Sequence, residues 1–213
     1  MKWLVGIDEV GRGPLAGPVT VCALLVSKSA LNKLIGHSMS NQFGVANFDS
    51  KKVSKKKRKE ITRVLQIMRG GRELDFAICS VSARVVDKQG IVNAVNLAIA
   101  RALKRLSRNS LSVPSAKLNK MQVLLDGGLR APREYRNQKT IIRGDSSEAV
   151  IGLASILAKV HRDKYMARIH NKYPDYAFDK HVGYGTRAHY KALTKYGPSP
   201  LHRLSFLKVG SSI

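Results

Sequence analysis

A chain of 213 residues can bury a substantial core in one domain and is short for two. Its apolar content of 44% argues against disorder, and no run of about 18 apolar residues is present to span a bilayer as a helix. The charge is the unusual quantity: 38 Lys and Arg against 14 Asp and Glu leave a formal +24, a field that draws polyanions, nucleic acid foremost, with an anionic membrane surface or a merely basic soluble protein as the alternatives.

Trp3 to Ile7 reads as a short buried strand, broken by Gly11-Arg12-Gly13-Pro14, and Val19 to Val26 as a second. The first residues faintly resemble a signal peptide. Asp8-Glu9 interrupt them before an apolar region of about seven to 15 residues can form, so no leader is expected. Cys22 and Cys79 lie in apolar stretches, far apart and without neighbouring histidines. They read as small core residues rather than zinc ligands or a disulfide, and a reduced, cytoplasmic setting fits. Ser38 to Ser50 is a polar loop, and Ser54 caps a helix with Lys55 to Glu60 in its first turns and Ile61, Val64, Leu65 and Met68 on one face. Gly70-Gly71 end that helix, and Leu74 to Val81 is a third strand.

Ile91 to Leu106 has apolar residues at helical spacing, with Arg101, Lys104, Arg105 and Arg108 toward its C-terminal end, where the helix dipole favours cations. Ser107 to Lys120 reads as an exposed loop, and Met121 to Leu125 as a strand running into Asp126-Gly127-Gly128. Thr140 to Arg143 is a further short strand before Gly144-Asp145. A long helix follows from about Glu148 to His170, stopped before Tyr173-Pro174, and a last one from Arg187 to Lys195. Neither an internal repeat nor a linker interrupts this order, which predicts one mixed-sheet α/β domain with a helical C-terminal part.

Acid is scarce, so four carboxylates stand out: Asp8, Glu9, Asp126 and Asp145. Asp8 ends one apolar strand and Asp126 directly follows another, which brings both to one edge of a sheet if those strands are neighbours. In so basic a chain such a cluster is either neutralised by Lys and Arg or binds a hard cation through oxygen. Two-metal phosphodiester hydrolysis needs such a set, with ions about 3.5–4 Å apart. Singly, each residue also fits a turn or cap, and Asp126-Gly127 is an ordinary turn signal. The glycines of Gly11-Arg12-Gly13 let a backbone approach a sugar or phosphate without a Cβ clash, or simply make a turn. Lys51-Lys52 with Lys55 to Lys59 form a dense basic patch, either a phosphate contact or a solvated helix face.

Three further features read as structural. Asp163 suits an ion pair with a nearby base such as Lys159 and is left out of the metal set. Ala154, Ser155 and Ala158 suggest tight helix–sheet packing. His181, His189 and His202 lack metal-ligand spacing and read as structural or phosphate-facing.

From Gly6 to Val19, the run Gly-Ile-Asp-Glu-Val-Gly-Arg-Gly-Pro-Leu-Ala-Gly-Pro-Val closely resembles the opening of the ribonuclease HII family. The resemblance continues, in the family's order, through Asp49-Ser50-Lys51-Lys52, Leu125-Asp126-Gly127, Arg143-Gly144-Asp145 and the run from Ala154 to Asp163. It ends with Gly183-Tyr184-Gly185-Thr186, His189, Gly197-Pro198-Ser199-Pro200, His202-Arg203 and Ser205-Phe206, so that it covers nearly the whole chain. It implies an α/β, ribonuclease H-like mixed sheet flanked by helices, with a helical C-terminal extension from about residue 174 to 213 that helps bind substrate. It also implies Mg²⁺ or Mn²⁺ as cofactor, held by Asp8, Glu9, Asp126 and Asp145. Gly11, Arg12 and Gly13 would approach 2′-hydroxyls through backbone groups, Lys51 and Lys52 would contact substrate, and Tyr184 would stack on the sugar at an RNA–DNA junction.

The implied reaction is hydrolysis of the RNA strand of RNA/DNA hybrids and cutting 5′ of ribonucleotides embedded in duplex DNA, by a monomer, leaving 3′-hydroxyl and 5′-phosphate ends. The Gly-Arg-Gly form favours this family over the related ribonuclease HIII, whose extra N-terminal domain is not seen here. Two segments, Lys33 to Asn47 and Asn109 to Lys120, look longer than the family's pattern. The rival classes are a non-catalytic basic nucleic-acid binder, which leaves the ordered carboxylates unexplained, and a DNA-specific or transposase-like nuclease on the same fold, against which Gly11-Arg12-Gly13 and Tyr184 argue.

Overall fold

The structure, a computed structural model, describes residues 2–36, 52–69, 72–110, 113 and 115–207. The expected loop from Ser38 to Ser50, Lys51 and the Gly70-Gly71 stop lie outside the described residues. Five strands, β1 (Trp3–Val10), β2 (Val19–Ser27), β3 (Leu74–Val81), β4 (Gln122–Asp126) and β5 (Gln138–Ile141), form one mixed sheet in the order β3-β2-β1-β4-β5. The first three pair antiparallel, while β4 runs parallel to both β1 and β5. Around them lie α1 (Lys28–Ile35), α2 (Lys55–Met68), α3 (Ala83–Asn109), α4 (Ser115–Leu118), α5 (Gly144–Ser147), α6 (Ala149–His170), α7 (Phe178–His181) and α8 (Arg187–Tyr196).

Side-chain alternation along the strands divides the interior in two. Val5, Ile7, Val21, Leu25, Val123 and Leu125 pack on one face against Ala98, Ile99 and Leu103 of α3. Leu4, Leu24, Val26, Phe76 and Leu124 pack on the other against Leu31 of α1, Leu65 of α2 and Ala154 and Leu157 of α6. Every residue of β2 is buried, as expected of a strand covered on both faces. Cys22 and Cys79 are buried free thiols that belong to opposite faces, so the sheet itself keeps them apart. At Gly6 a side chain would run into the backbone of Val150, and Ala154, Ser155 and Ala158 are fully buried, so α6 lies close on β1 as the small residues suggest. A third, smaller cluster of Ala16, Met166, Tyr176, Phe178 and Ala192 holds the C-terminal helices onto the end of α6.

Strand β1 runs on through Asp8 and Glu9 to Val10, β5 spans Gln138–Ile141 rather than Thr140 to Arg143, and three further elements differ from expectation. Helix α1 starts directly at the end of β2, where the Ser27 hydroxyl caps Ala30 N–H at 3.1 Å and Ala30, Leu31 and Leu34 turn inward. Helix α3 begins at Ala83 rather than Ile91, because Gly90 (φ 77°) breaks it into two helical runs with Ile91 opening the second. The expected loop from Ser107 to Lys120 instead continues α3 to Asn109 and contains the single turn α4. No helix among the described residues is long and apolar enough to cross a membrane.

Candidate active site at the ends of the parallel strands

Strands β1 and β4 run in the same direction, and the last register pair is Ile7 with Leu125. Asp8 and Asp126, each the next residue of its strand, therefore stand side by side where β1 and β4 part, toward the C-terminal edge where α/β sheets hold their ligands. Strand β1 itself runs on to Val10 beside β2. Asp145 joins them from the turn after β5, and its N–H donates to Asp126 Oδ1 at 3.2 Å. Alternation separates the fourth carboxylate. Asp8 and Asp126 share the parity of Leu4 and Leu124 and face α6, whereas Glu9 shares that of Ile7 and faces the α3 side. The acids thus straddle the end of the sheet.

Asp8 is almost wholly buried, and its carboxyl is held well above the usual range, first by that burial and then by the negative charges of Glu9 and Asp126. A hydrogen bond from Ser155 and the charge of Lys159 act in the opposite direction. Lys159 in turn donates to Ser155 Oγ at 2.9 Å. Ser155 therefore does more than pack closely, a role its small size conceals in the sequence. Glu9 Oε1 accepts from Arg12 at 3.3 Å, while its buried Oε2 has no hydrogen-bond partner. The buried Asp8 carboxyl with its raised pKa, beside the orphaned oxygen of Glu9, fits a hard divalent cation, which takes oxygen donors and would offset the repulsion between the acids. Among the described residues no three His, Cys, Asp or Glu side chains are drawn close enough to hold an ion as they stand.

The loop between β1 and β2 is organised by two arginines that bond to its backbone carbonyls. Arg203 is fully buried and donates to Gly11 O (2.6 Å), Arg12 O (2.8 Å) and Gly17 O (2.9 and 3.0 Å). Arg162, on α6, donates to Pro18 O (2.9 Å), Ala16 O (3.1 Å) and Val182 O (2.9 Å). The planar guanidinium fork, with its five N–H donors, suits several carbonyls spread around one buried position. Burial, and then the charge of Arg162, lower the pKa of Arg203 to about 10, so it remains a cation at neutral pH. Gly11 has φ +87°, and a side chain there would strike Arg162, so this glycine is required by the fold. Gly13 is different: a Cβ there would meet nothing within 4 Å, so the space beside it is open to a ligand.

Tyr184 is 46% exposed, close enough to Arg162 and Arg203 to act on both electrostatically. Its neighbour Gly183 accepts from Leu15 N–H at 2.9 Å, which ties it to the same loop. Three buried histidines set its backbone. Ser199 N–H donates to His202 Nδ1 (2.9 Å), so the ring proton of His202 sits on Nε2 and is donated to His189 Nε2 (2.9 Å). His189 Nδ1–H then donates to Tyr184 O (2.9 Å), and His181 stacks on His189 with ring centroids 4.4 Å apart. These histidines are structural. Burial holds all three below the usual range, and that of His202 falls to about 4. A depressed histidine pKa contributes stability above its unfolded value, near 6.5, that is lost as pH falls through the folded one. Thermal stability is therefore expected to decline between about pH 6.5 and 4. His189→Gln, which cannot be protonated, should flatten that part of the melting profile; an unchanged slope would show that the histidines do not set it.

Lys52 is exposed in the turn before α2, and Lys51 lies outside the described residues. Asp163 faces Arg58 of α2 at 4.0 Å, rather than Lys159 on its own helix. The structure thus gathers Asp8, Asp126 and Asp145, sets Glu9 beside them on the other face, and joins Gly11, Arg12 and Gly13 to Tyr184 through Arg162 and Arg203. Arg162 and Arg203 are the residues that sequence reasoning left without a role here, while Ser155 reads in the sequence as packing and the histidines as structural or phosphate-facing. The only signal of the two arginines was membership of the motif runs.

Residues 5–209 match the family profile described as Ribonuclease HII. The ribonuclease HII of Caldicellulosiruptor bescii is 39% identical over 207 residues, 97% of this chain and 87% of that one. In the solved complex of PCNA with RNase HII from Archaeoglobus fulgidus, one chain superposes with a TM-score of 0.69 at 20% identity, covering 99% of this chain and 98% of its own. Bst-RNase HIII, solved in complex with Mn²⁺, superposes with a TM-score of 0.66 at 17% identity, covering 96% of this chain and 67% of its own. The chain belongs to the ribonuclease HII family and is a ribonuclease H endonuclease.

Proposed function

We propose that the chain hydrolyses the RNA strand of RNA/DNA hybrids and cuts 5′ of ribonucleotides embedded in duplex DNA, leaving 3′-hydroxyl and 5′-phosphate ends. What supports this reading is that Asp8 and Asp126 are neighbours on two parallel strands, with Asp145 bonded through its N–H to Asp126, in a chain whose Gly13 backbone borders open space and whose Tyr184 ring is exposed. Asp8, Glu9, Asp126 and Asp145 would hold Mg²⁺ or Mn²⁺. When bound, a pair of such ions supplies an activated water and stabilises the leaving oxygen. Gly11, Arg12 and Gly13 would meet a 2′-hydroxyl through the backbone, and Tyr184 would pack on the next sugar. Lys51 and Lys52 would contact phosphates.

The stretch from about residue 174 to 213, described as far as 207, would serve as the substrate-binding part of a single domain. In α8, Arg187, Lys191 and Lys195 are exposed beside Tyr190 and Tyr196, a cationic and aromatic surface suited to a nucleic-acid backbone. The reading includes a monomer in the cytoplasm, in keeping with two buried, unpaired thiols.

The test uses an RNA/DNA hybrid labelled separately on each strand, with and without Mg²⁺ or Mn²⁺. The RNA strand should be cut only with the ion, and the DNA strand should remain whole. Binding without any cut under either ion would leave the basic nucleic-acid binder as the better account. Cleavage of an all-DNA duplex would favour a DNA nuclease.

A further inference from the structure

We infer that Arg203, steadied by Asp87, is a positioning residue that turns the peptide N–H groups of Arg12 and Gly13 outward as a pair of donors for the substrate ribose. The inference rests on the nuclease reading above and assigns the device that sets its selectivity. In a trans peptide the C=O of one residue and the N–H of the next point in opposite directions, and among the described residues every peptide is trans. Arg203 Nη2 fixes the carbonyl of Gly11 at 2.6 Å and Nη1 that of Arg12 at 2.8 Å. Pulling both carbonyls toward the buried guanidinium directs the N–H of Arg12 and the N–H of Gly13 away from it.

Among the described residues neither N–H has a hydrogen-bond partner, both residues are exposed, and nothing lies within 4 Å of a Cβ built at Gly13. Two adjacent free donors beside open space suit an acceptor oxygen, and the 2′-hydroxyl of ribose offers one where deoxyribose has none. Arg203 is in turn held in place. Asp87, in the first run of α3, accepts from Leu204 N–H (2.9 Å), Ser205 N–H (3.0 Å) and the Ser205 hydroxyl (2.5 Å). The Arg203 guanidinium also lies over the Phe206 ring, 5.1 Å from its centroid. Asp87 therefore acts through two intermediaries, the turn and the arginine, on groups it does not touch.

The experiment compares Arg203→Lys and Asp87→Ala with the unmodified chain on a DNA duplex carrying one ribonucleotide, and on an all-DNA duplex whose affinity is read by fluorescence anisotropy. A lysine keeps the charge but cannot fork across three carbonyls. Arg203→Lys is expected to lower kcat on the ribonucleotide duplex about tenfold, as small misplacements of reacting groups do, with KM and all-DNA affinity unchanged. Asp87→Ala should show a smaller loss in the same direction. If Arg203→Lys does not melt cooperatively, Asp87→Ala, which leaves the arginine in place, decides alone. Variants that cut as fast as a competent parent overturn the positioning role alone. Variants that lose all-DNA affinity in proportion to rate overturn it too, since a general structural defect would do that. A parent that leaves the ribonucleotide duplex uncut overturns the nuclease reading instead, and this inference with it.

Discussion

Asp126→Asn is expected to lower hybrid cleavage by about three orders of magnitude or more while hybrid binding persists. A divalent ion contributes several kcal/mol of transition-state stabilisation, and each 1.36 kcal/mol lost is about tenfold in rate. The substitution should cost the fold little. An asparagine Oδ1 can still accept the Asp145 N–H that Asp126 accepts at 3.2 Å. One of the two negative charges that hold the Asp8 carboxyl high also disappears. Less negative charge beside the scissile phosphate favours binding as well. The measurements are turnover in saturating Mg²⁺, hybrid affinity by anisotropy, and Mg²⁺ affinity by calorimetry without substrate. Near-normal turnover in saturating Mg²⁺ would remove Asp126 from the metal set.

A single ribonucleotide within duplex DNA should suffice as substrate, and Tyr184→Ala should cut that duplex about ten- to a hundredfold more slowly. Aromatic packing against a nucleotide is worth about 1–3 kcal/mol. Tyr184→Phe keeps the ring and should lose far less. The reason is chemical: an aromatic face tolerates the hydrogen of a deoxyribose better than a hydroxyl, while free donors on the neighbouring loop favour the 2′-oxygen. The backbone beneath the ring does not depend on its hydroxyl, since His189 bonds to the carbonyl of Tyr184. A labelled duplex with one embedded ribonucleotide, beside an all-DNA control, reads the outcome. Cleavage of long hybrids with the single-ribonucleotide duplex left intact would rule out junction sensing by this residue.

Strand β3 was legible because its apolar run is bounded by Gly70-Gly71 and Ser82, and it matches its expected bounds, whereas β1 runs three residues further than expected and β5 begins two residues earlier. Helix α2 was equally clear, since Ser54 caps it at Lys57 N–H as the pattern predicts. Periodicity could not show α1, which is eight residues long and follows β2 with no intervening turn. It also missed the first run of α3, cut off by Gly90. Asp126 does end β4, whereas β1 continues past Asp8 to Val10; the two carboxylates are neighbours because β1 and β4 pair in parallel up to Ile7 and Leu125. What no local pattern could reveal was that Arg162 and Arg203 are buried. Arginine reads as surface charge in a sequence, and only tertiary structure supplies the carbonyls that make its burial tolerable.

The bond from Arg203 to the Gly11 carbonyl joins residues 192 positions apart. Translation is vectorial, and domains settle as their parts emerge from the ribosome. The sheet and α6 can assemble on a nascent chain while the loop at Gly11 still lacks its anchor. Contacts of such long sequence separation are also the slowest to close in refolding. On the inference drawn for Arg203, catalytic competence is expected to follow the core, arising once residue 203 has folded back onto Gly11.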